Sequence, residues 1–389
     1  MTVARVFDPT DLTLRIVRGS CCAFAFVMSL SITANAVETR SYVISKFQTA
    51  TYSNEGNCPH GGNGTPSEIK ERILIDQGYT KQQVDYIISH EGRDENGNRV
   101  NTGTRGRLNG EPAYVGNFPN SIPDPQIETV QGKFAYGFNL DGRVQSDSFQ
   151  DPETLERGID NQRWRALGCF AVYDVRRPVV PYNEYIAWDT AIDAMPAWLM
   201  SVTGDDLDKD GDVTVTFDRS LNILLRDAQG SVLPGATFVV DSDPRSHSSF
   251  QGQIENGVLT IEPGDFAMLG ESQWYAIIRF AQTHLRLKMN SDGSLSGLIG
   301  GYQPWLDLYY FLAVRGEESG QVDLPGVYYA FERLADGIPD PVTGQNTAIS
   351  SAFWMEAVPA FLTTVSGRVI GEAVQPNENS HVGDVALSQ

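Results

Sequence analysis

The chain is 389 residues long, with 29 Lys and Arg against 49 Asp and Glu and a formal net charge of −20. Hydrophobic residues make up 41% and charged residues 20%, which is enough apolar material to bury the cores of two ordinary domains and too little charge for disorder. So acidic a balance argues against a nucleic-acid partner or an anionic membrane surface, because both are bound through clustered Lys and Arg.

The first signal in chain order is an address. Arg15 and Arg18 precede an apolar run over residues 21–32, and Ala34-Asn35-Ala36 follows it. A basic flank, a short apolar run and an A-x-A site predict a secretory signal peptide over residues 1–36, cleaved after Ala36. The run is too short to span a bilayer, and no later stretch approaches the roughly 20 apolar residues that a membrane helix needs. Cys21 and Cys22 precede the hydrophobic core of the signal and leave with it. Cleavage also removes Arg5, Arg15 and Arg18 with Asp8 and Asp11, so the exported chain is one charge more negative. Its remaining cysteines, Cys58 and Cys169, are expected to pair in an oxidising compartment, periplasmic or extracellular.

Residues 40–50 alternate weakly and predict a strand. A Gly- and Asn-rich loop follows at 54–64, and then two helix starts. Thr65-Pro66-Ser67-Glu68 supplies an N-cap, a proline in the first turn and a capping-box acid, with Ile69, Ile73 and Leu74 on one face until Gly78. Thr80-Lys81-Gln82-Gln83 repeats the signal ahead of Val84, Ile87 and Ile88. A small N-terminal helical hairpin is the expectation. Residues 93–160 are rich in Gly, Asn, Asp and Pro, with one candidate strand at 133–138.

Beyond residue 200 the text changes to strands. Residues 213–217, 221–225, 236–240 and 257–261 are short β runs separated by turn residues. His284-Leu285-Arg286-Leu287-Lys288-Met289 alternates apolar and polar, and Asn290-Ser291-Asp292-Gly293 reverses it into 294–298. The predicted fold class is mainly β with the small helical hairpin, α+β overall. It comprises a loop-rich α+β domain over 37–200 holding one disulfide, and an antiparallel sandwich or barrel over 201–389.

Four groups of residues could carry chemistry. Asp206, Asp208, Asp210 and Asp212, with Gly211 between the last two, place oxygen ligands at alternate positions like the first half of a calcium loop. Phe217 stands where an EF-hand carries its bidentate Glu, so Ca2+ binding and a plain acidic turn are equally good readings. Tyr302, Trp305, Tyr309 and Asp307 crowd aromatic faces beside a carboxylate, which suits a sugar ring or a docking surface as well as a core. Glu356 shares a strand face with Trp354 and Val358, where apolar neighbours would raise its pKa and suit it to act as a general acid. Asp141 and Asp160 are the candidate second carboxylates. A glycosidase pair would hold them within about 5 to 10 Å of Glu356.

The segment Gly137-Phe138-Asn139-Leu140-Asp141-Gly142-Arg143, with Gly158-Ile159-Asp160-Asn161-Gln162 and Arg165-Ala166-Leu167-Gly168-Cys169, resembles a pattern in uncharacterised secreted bacterial proteins. The resemblance covers some 35 residues, is echoed in Gly300-Gly301-Tyr302-Gln303-Pro304-Trp305, and implies bacterial secretion without an activity. Asp160 and Asn161 could instead cap a helix beginning at Gln162, with Trp164 and Leu167 facing the core.

No G-x-S-x-G, H-E-x-x-H or G-x-x-x-x-G-K-[ST] occurs, nor a G-x-G-x-x-G after a strand, which disfavours the hydrolases, zincins and nucleotide enzymes that carry them. The expectation is an exported binding or structural protein, disulfide- and calcium-stabilised, whose partner is an extracellular glycan or protein. The alternative is a glycan-active hydrolase using paired carboxylates.

Overall fold

Alternation at period two decides the architecture. In the strand Gly211–Ile223, Val213, Val215 and Phe217 are buried while Asp212, Thr214, Thr216 and Asp218 face outward, so one face of the strand needs a core and the other does not. The computed structural model describes residues 37–173, 194–270, 277–314 and 321–371. The expected signal peptide and its cleavage position lie outside them. The described residues belong to one compact unit.

Eight antiparallel strands close a barrel: β1 (Glu38–Thr49), β2 (Pro196–Gly204), β3 (Gly211–Ile223), β4 (Ser248–Glu255), β5 (Val258–Ile261), β6 (Ile277–Met289), β7 (Leu295–Pro304) and β8 (Asn346–Pro359). Each pairs with its successor in the chain, and β1 closes the ring by pairing Tyr42 with Met200 of β2 and Phe47 with Met355 of β8. Closure leaves no open edge in the main sheet. The interior is filled by rings. Phe47 stacks on Phe353 at 4.7 Å and meets Trp198 edge-on at 5.2 Å, and Phe280 packs on Phe353 at 5.6 Å.

The expectation of a sandwich or barrel thus resolves to a closed barrel. The expected domain boundary near residue 200 falls inside β2, and strands from both sides of it share the ring. The physical reason is closure: β8 needs a partner for its free edge, and β1, near the start of the described chain, supplies it.

Two insertions decorate the barrel. The first, between β1 and β2, carries α1 (Pro66–Asp76), α2 (Lys81–Ser89) and α3 (Gln162–Leu167). Thr65 and Thr80 cap α1 and α2 with complete capping boxes to Glu68 and Gln83. The second, between β7 and β8, carries α4 (Trp305–Val314) and α5 (Leu324–Leu334). Trp164, Leu167, Tyr309, Leu312 and Phe331 from α3, α4 and α5 form a second core with Ile349 of β8. The Cys58–Cys169 disulfide, with Cα atoms 5.7 Å apart, ties the loop before α1 to the end of α3. Residues 133–138 make isolated bridges, Phe134 to Gln150 and Phe138 to Asp160, in place of the expected strand. No helix among the described residues is long and apolar enough to cross a membrane.

Candidate functional site

The region singled out around Asp141 and Asp160 lies against the outer wall of the barrel. Phe138 packs there with Leu298 of β7 and Ala352 of β8, beside Tyr136, Leu140 and Trp354. The local fold follows from short-range rules. Gly158 adopts φ +87°, and a Cβ on it would fall 2.3 Å from the Arg143 carbonyl, so the turn admits no side chain. Asn161 caps α3 by accepting from Trp164 N–H at 3.2 Å and donates its amide to the Tyr136 carbonyl at 2.9 Å. Trp164 and Leu167 are buried as a capped helix there requires.

Asp160 is free for other work. Only 8% of it is exposed, and its Oδ2 accepts from Leu140 N–H at 2.8 Å and from Asp141 N–H at 3.4 Å. Burial lifts its carboxyl to about 7, and the charges of Asp336 and Asp141 add to the rise. Asp336 follows α5. Its Oδ1 accepts from Ser350 N–H at 2.7 Å, and burial outweighs that contact to place its carboxyl at about 6. Ser350 of β8 also accepts from the Gln162 N–H at 2.8 Å, so one serine links the Asp336 loop to the start of α3.

Tyr302 of β7 lies opposite Ser350 in the sheet. Its ring covers Gly337, where a Cβ would come within 2.3 Å of it. Burial first, and then Asp336, Asp160 and Asp141, raise its phenol well above the usual value, so it stays a hydrogen-bond donor. Tyr302 also lines a groove of about 380 Å3 along with Asp265, Arg279, Ile338 and Thr347. His247, on the rim of the same groove, donates Nδ1–H to Asp218 at 2.8 Å.

The other candidates are placed differently. Glu356 is exposed on the barrel wall and paired with Lys46 at 2.8 Å. It lies six residues along β8 from Ser350, about 20 Å at strand rise, and its partner is a lysine and not a second carboxylate. Asp141 is exposed and closes a turn by accepting from Arg143 N–H at 2.8 Å and the Gln145 amide at 2.9 Å. Tyr309 is fully buried and donates its hydroxyl to the Val115 carbonyl at 2.8 Å, while Trp305 packs edge-on against Tyr328 and Asp307 is exposed. Helical spacing in α4 separates these three from Tyr302, the one member of the aromatic group at the carboxylate cluster.

The acidic loop joins β2 to β3. Lys209 pairs with Asp206, Arg40 with Asp208 at 2.8 Å, and Asp210 accepts from Asn256 N–H at 2.7 Å. Among the described residues no group of three His, Cys, Asp or Glu side chains is arranged to hold a metal ion.

Asp336 and Ser350 escaped sequence reasoning because neither sits in a motif. Asp336 lies in a plain helix-to-strand link, and its importance comes from what the fold buries beside it.

The fold and site define an up-and-down antiparallel barrel with a carboxylate and tyrosine cluster on its outer wall. No protein-family model matches the chain, and neither does any curated protein or solved structure. The resemblance of residues 137–169 to secreted bacterial proteins therefore stands on those residues alone.

Proposed function

We propose that this is an exported, disulfide-stabilised protein that binds a hydroxyl-bearing extracellular ligand, a glycan in the first instance, at Asp160, Asp336 and Tyr302. The observation that carries the reading is the form of the cluster. Asp160 is held by two backbone N–H groups through one oxygen, leaving the other as an acceptor for a ligand hydroxyl, while Asp336 is held by the backbone N–H and hydroxyl of Ser350 and the Tyr302 phenol is a donor beside them. Export is supported by the signal-like N-terminus and by the disulfide.

A second reading has its own support. Carboxyls at about 7 and about 6 hold one proton between them near neutrality, the condition for a general acid and a general base in glycoside hydrolysis. In that reading Asp160 is the acid and Asp336 the base. Calcium belongs to the proposal through the spacing of Asp206, Asp208, Asp210 and Asp212 alone, and would have to displace Arg40 and Lys209 from two of them.

The test is thermal unfolding of the oxidised, processed protein with a panel of neutral oligosaccharides, followed by an assay for reducing ends with any that bind. A stabilising oligosaccharide whose effect is lost in Asp336→Asn and kept in Glu356→Gln supports the site, and new reducing ends support hydrolysis. Stabilisation that survives both Asp160→Asn and Asp336→Asn overturns it. The same protein melted with excess calcium and with a chelator tests the loop, where the expected rise is lost in Asp208→Ala.

A further inference from the structure

On α1 and the loops beside it, remote in sequence from the carboxylate cluster, a cavity of about 460 Å3 is lined by Arg72 and Asp76 of α1, Arg105, and the segment Ile122, Pro123, Asp124 and Pro125. Arg105 is unusual for a guanidinium. Its side chain is 2% exposed, yet its Nε and Nη1 have no hydrogen-bond acceptor. Nη2 donates to Asp323, and Asp76 Oδ2 stands 3.6 Å from Nη1, too long for a hydrogen bond.

The charge count around the cavity matters. Asp323, 1% exposed, caps α5 by accepting from Gly326 N–H and accepts from Arg72 Nη2 at 3.0 Å as well as from Arg105. One buried carboxylate thus serves two guanidinium groups, and the second negative charge, on Asp76, stands off Arg105 without a hydrogen bond. Asp124 is turned elsewhere, to Arg333 and to the Gln126 backbone. Asp76, with 54% of its side chain exposed, forms a loose ion pair with Nη1 of Arg105 that is too long for a hydrogen bond.

A buried charged donor left unpaired is unfavourable, so an acceptor that fits there is bound with more than its surface contact. We propose that this cavity binds a small organic carboxylate. Its head group takes the place of Asp76 on Arg105 and meets the outward N–H groups of Arg72, and its apolar body lies on Ile122, Pro123 and Pro125. A carboxylate fits better than a phosphate: Asp76 and Asp124 stand close by and disfavour a second negative charge, and a planar two-oxygen head matches a guanidinium edge. The source is either a free acid or the C-terminal carboxylate of a peptide, which present the same chemistry.

The test is calorimetric titration of the full oxidised protein at low salt with benzoate, N-acetyl-leucine, inorganic phosphate and uncharged benzamide. Benzoate or N-acetyl-leucine is expected to bind at millimolar concentration or below, with benzamide silent. Preference for N-acetyl-leucine indicates a peptide end and preference for benzoate a free acid. Two exposed positions supply variants that fold and carry opposite signs. Asp76→Asn removes the competitor and should tighten binding at least threefold, whereas Arg72→Ala should weaken it about tenfold. The inference is overturned if neither carboxylate binds, if phosphate binds more tightly than both, or if Asp76→Asn weakens the interaction. Asp160→Asn should leave all these affinities unchanged, which separates this cavity from the barrel-wall site.

Discussion

Replacing Asp160 by Asn should make the protein more stable at alkaline pH and leave it unchanged in acid. The carboxyl sits at about 7 in the folded chain against 3.8 ordinarily, so between those values the folded state holds a proton that the unfolded state has released. The sign follows: this group's contribution to stability is fully present below about pH 4 and is lost as pH rises through about 7. A displacement of that size corresponds to roughly 4 kcal/mol against the ionised form, and an effective dielectric above that of a dry interior reduces it to about 2 kcal/mol. Asparagine keeps an oxygen for the Leu140 and Asp141 N–H groups and carries no charge. Melting wild type and Asp160→Asn side by side should therefore show about 3 °C in favour of the variant at about pH 8.5, shrinking to no difference at about pH 3, below the unfolded value. A pH-independent difference, or a variant less stable at pH 8.5, would refute the claim that burial and Asp336 penalise this charge. A gain in stability paired with loss of ligand binding is the pattern expected when a strained group is kept for function.

Removing the disulfide with Cys58→Ser and Cys169→Ser should cost about 4 to 5 kcal/mol in denaturant unfolding by the chain-entropy model, and reductant should reproduce the loss in wild type only. Phe353→Ala empties the middle of the barrel between Phe47 and Phe280 and should destabilise by about 3 to 5 kcal/mol, measured as a lower denaturant midpoint. Glu356→Gln breaks a half-exposed pair with Lys46 and should cost less than about 1 kcal/mol, an effect that molar salt erases and that leaves oligosaccharide binding intact.

Local signals were legible in the sequence wherever a few neighbouring residues decide the structure. Thr65 and Thr80 declare their helices because a capping box is complete within four residues. The second half of β6, from His284, declares itself through Leu285, Leu287 and Met289. The disulfide followed from cysteine arithmetic and compartment. Closure was not legible, because nothing in residues 38–49 says that they pair with 346–359 across some 300 residues, and that pairing alone turns two expected domains into one barrel. Residues 133–138 carry strand composition, yet the fold gives them single bridges because their side chains are needed against the outer wall.

The carboxylate cluster shows the same division at the level of chemistry. Apolar neighbours on its own strand made Glu356 the stronger candidate, but neighbours at period two share a face without burying it, and that face turned out to be the wet outside of the barrel beside Lys46. Asp160 was recognisable because it precedes a helix cap, where short oxygen-bearing side chains gather. The like charge that adds to its burial is brought from far away: Asp336 arrives from the link after α5, held by Ser350 of β8, and neither residue stands out in its own segment. Burial raises this carboxyl and a like charge adds to the rise, and both are properties of the closed barrel wall with its insertions laid against it. Only once the ring is closed do those segments meet, so the chemistry of this site is a consequence of topology before it is a consequence of any motif.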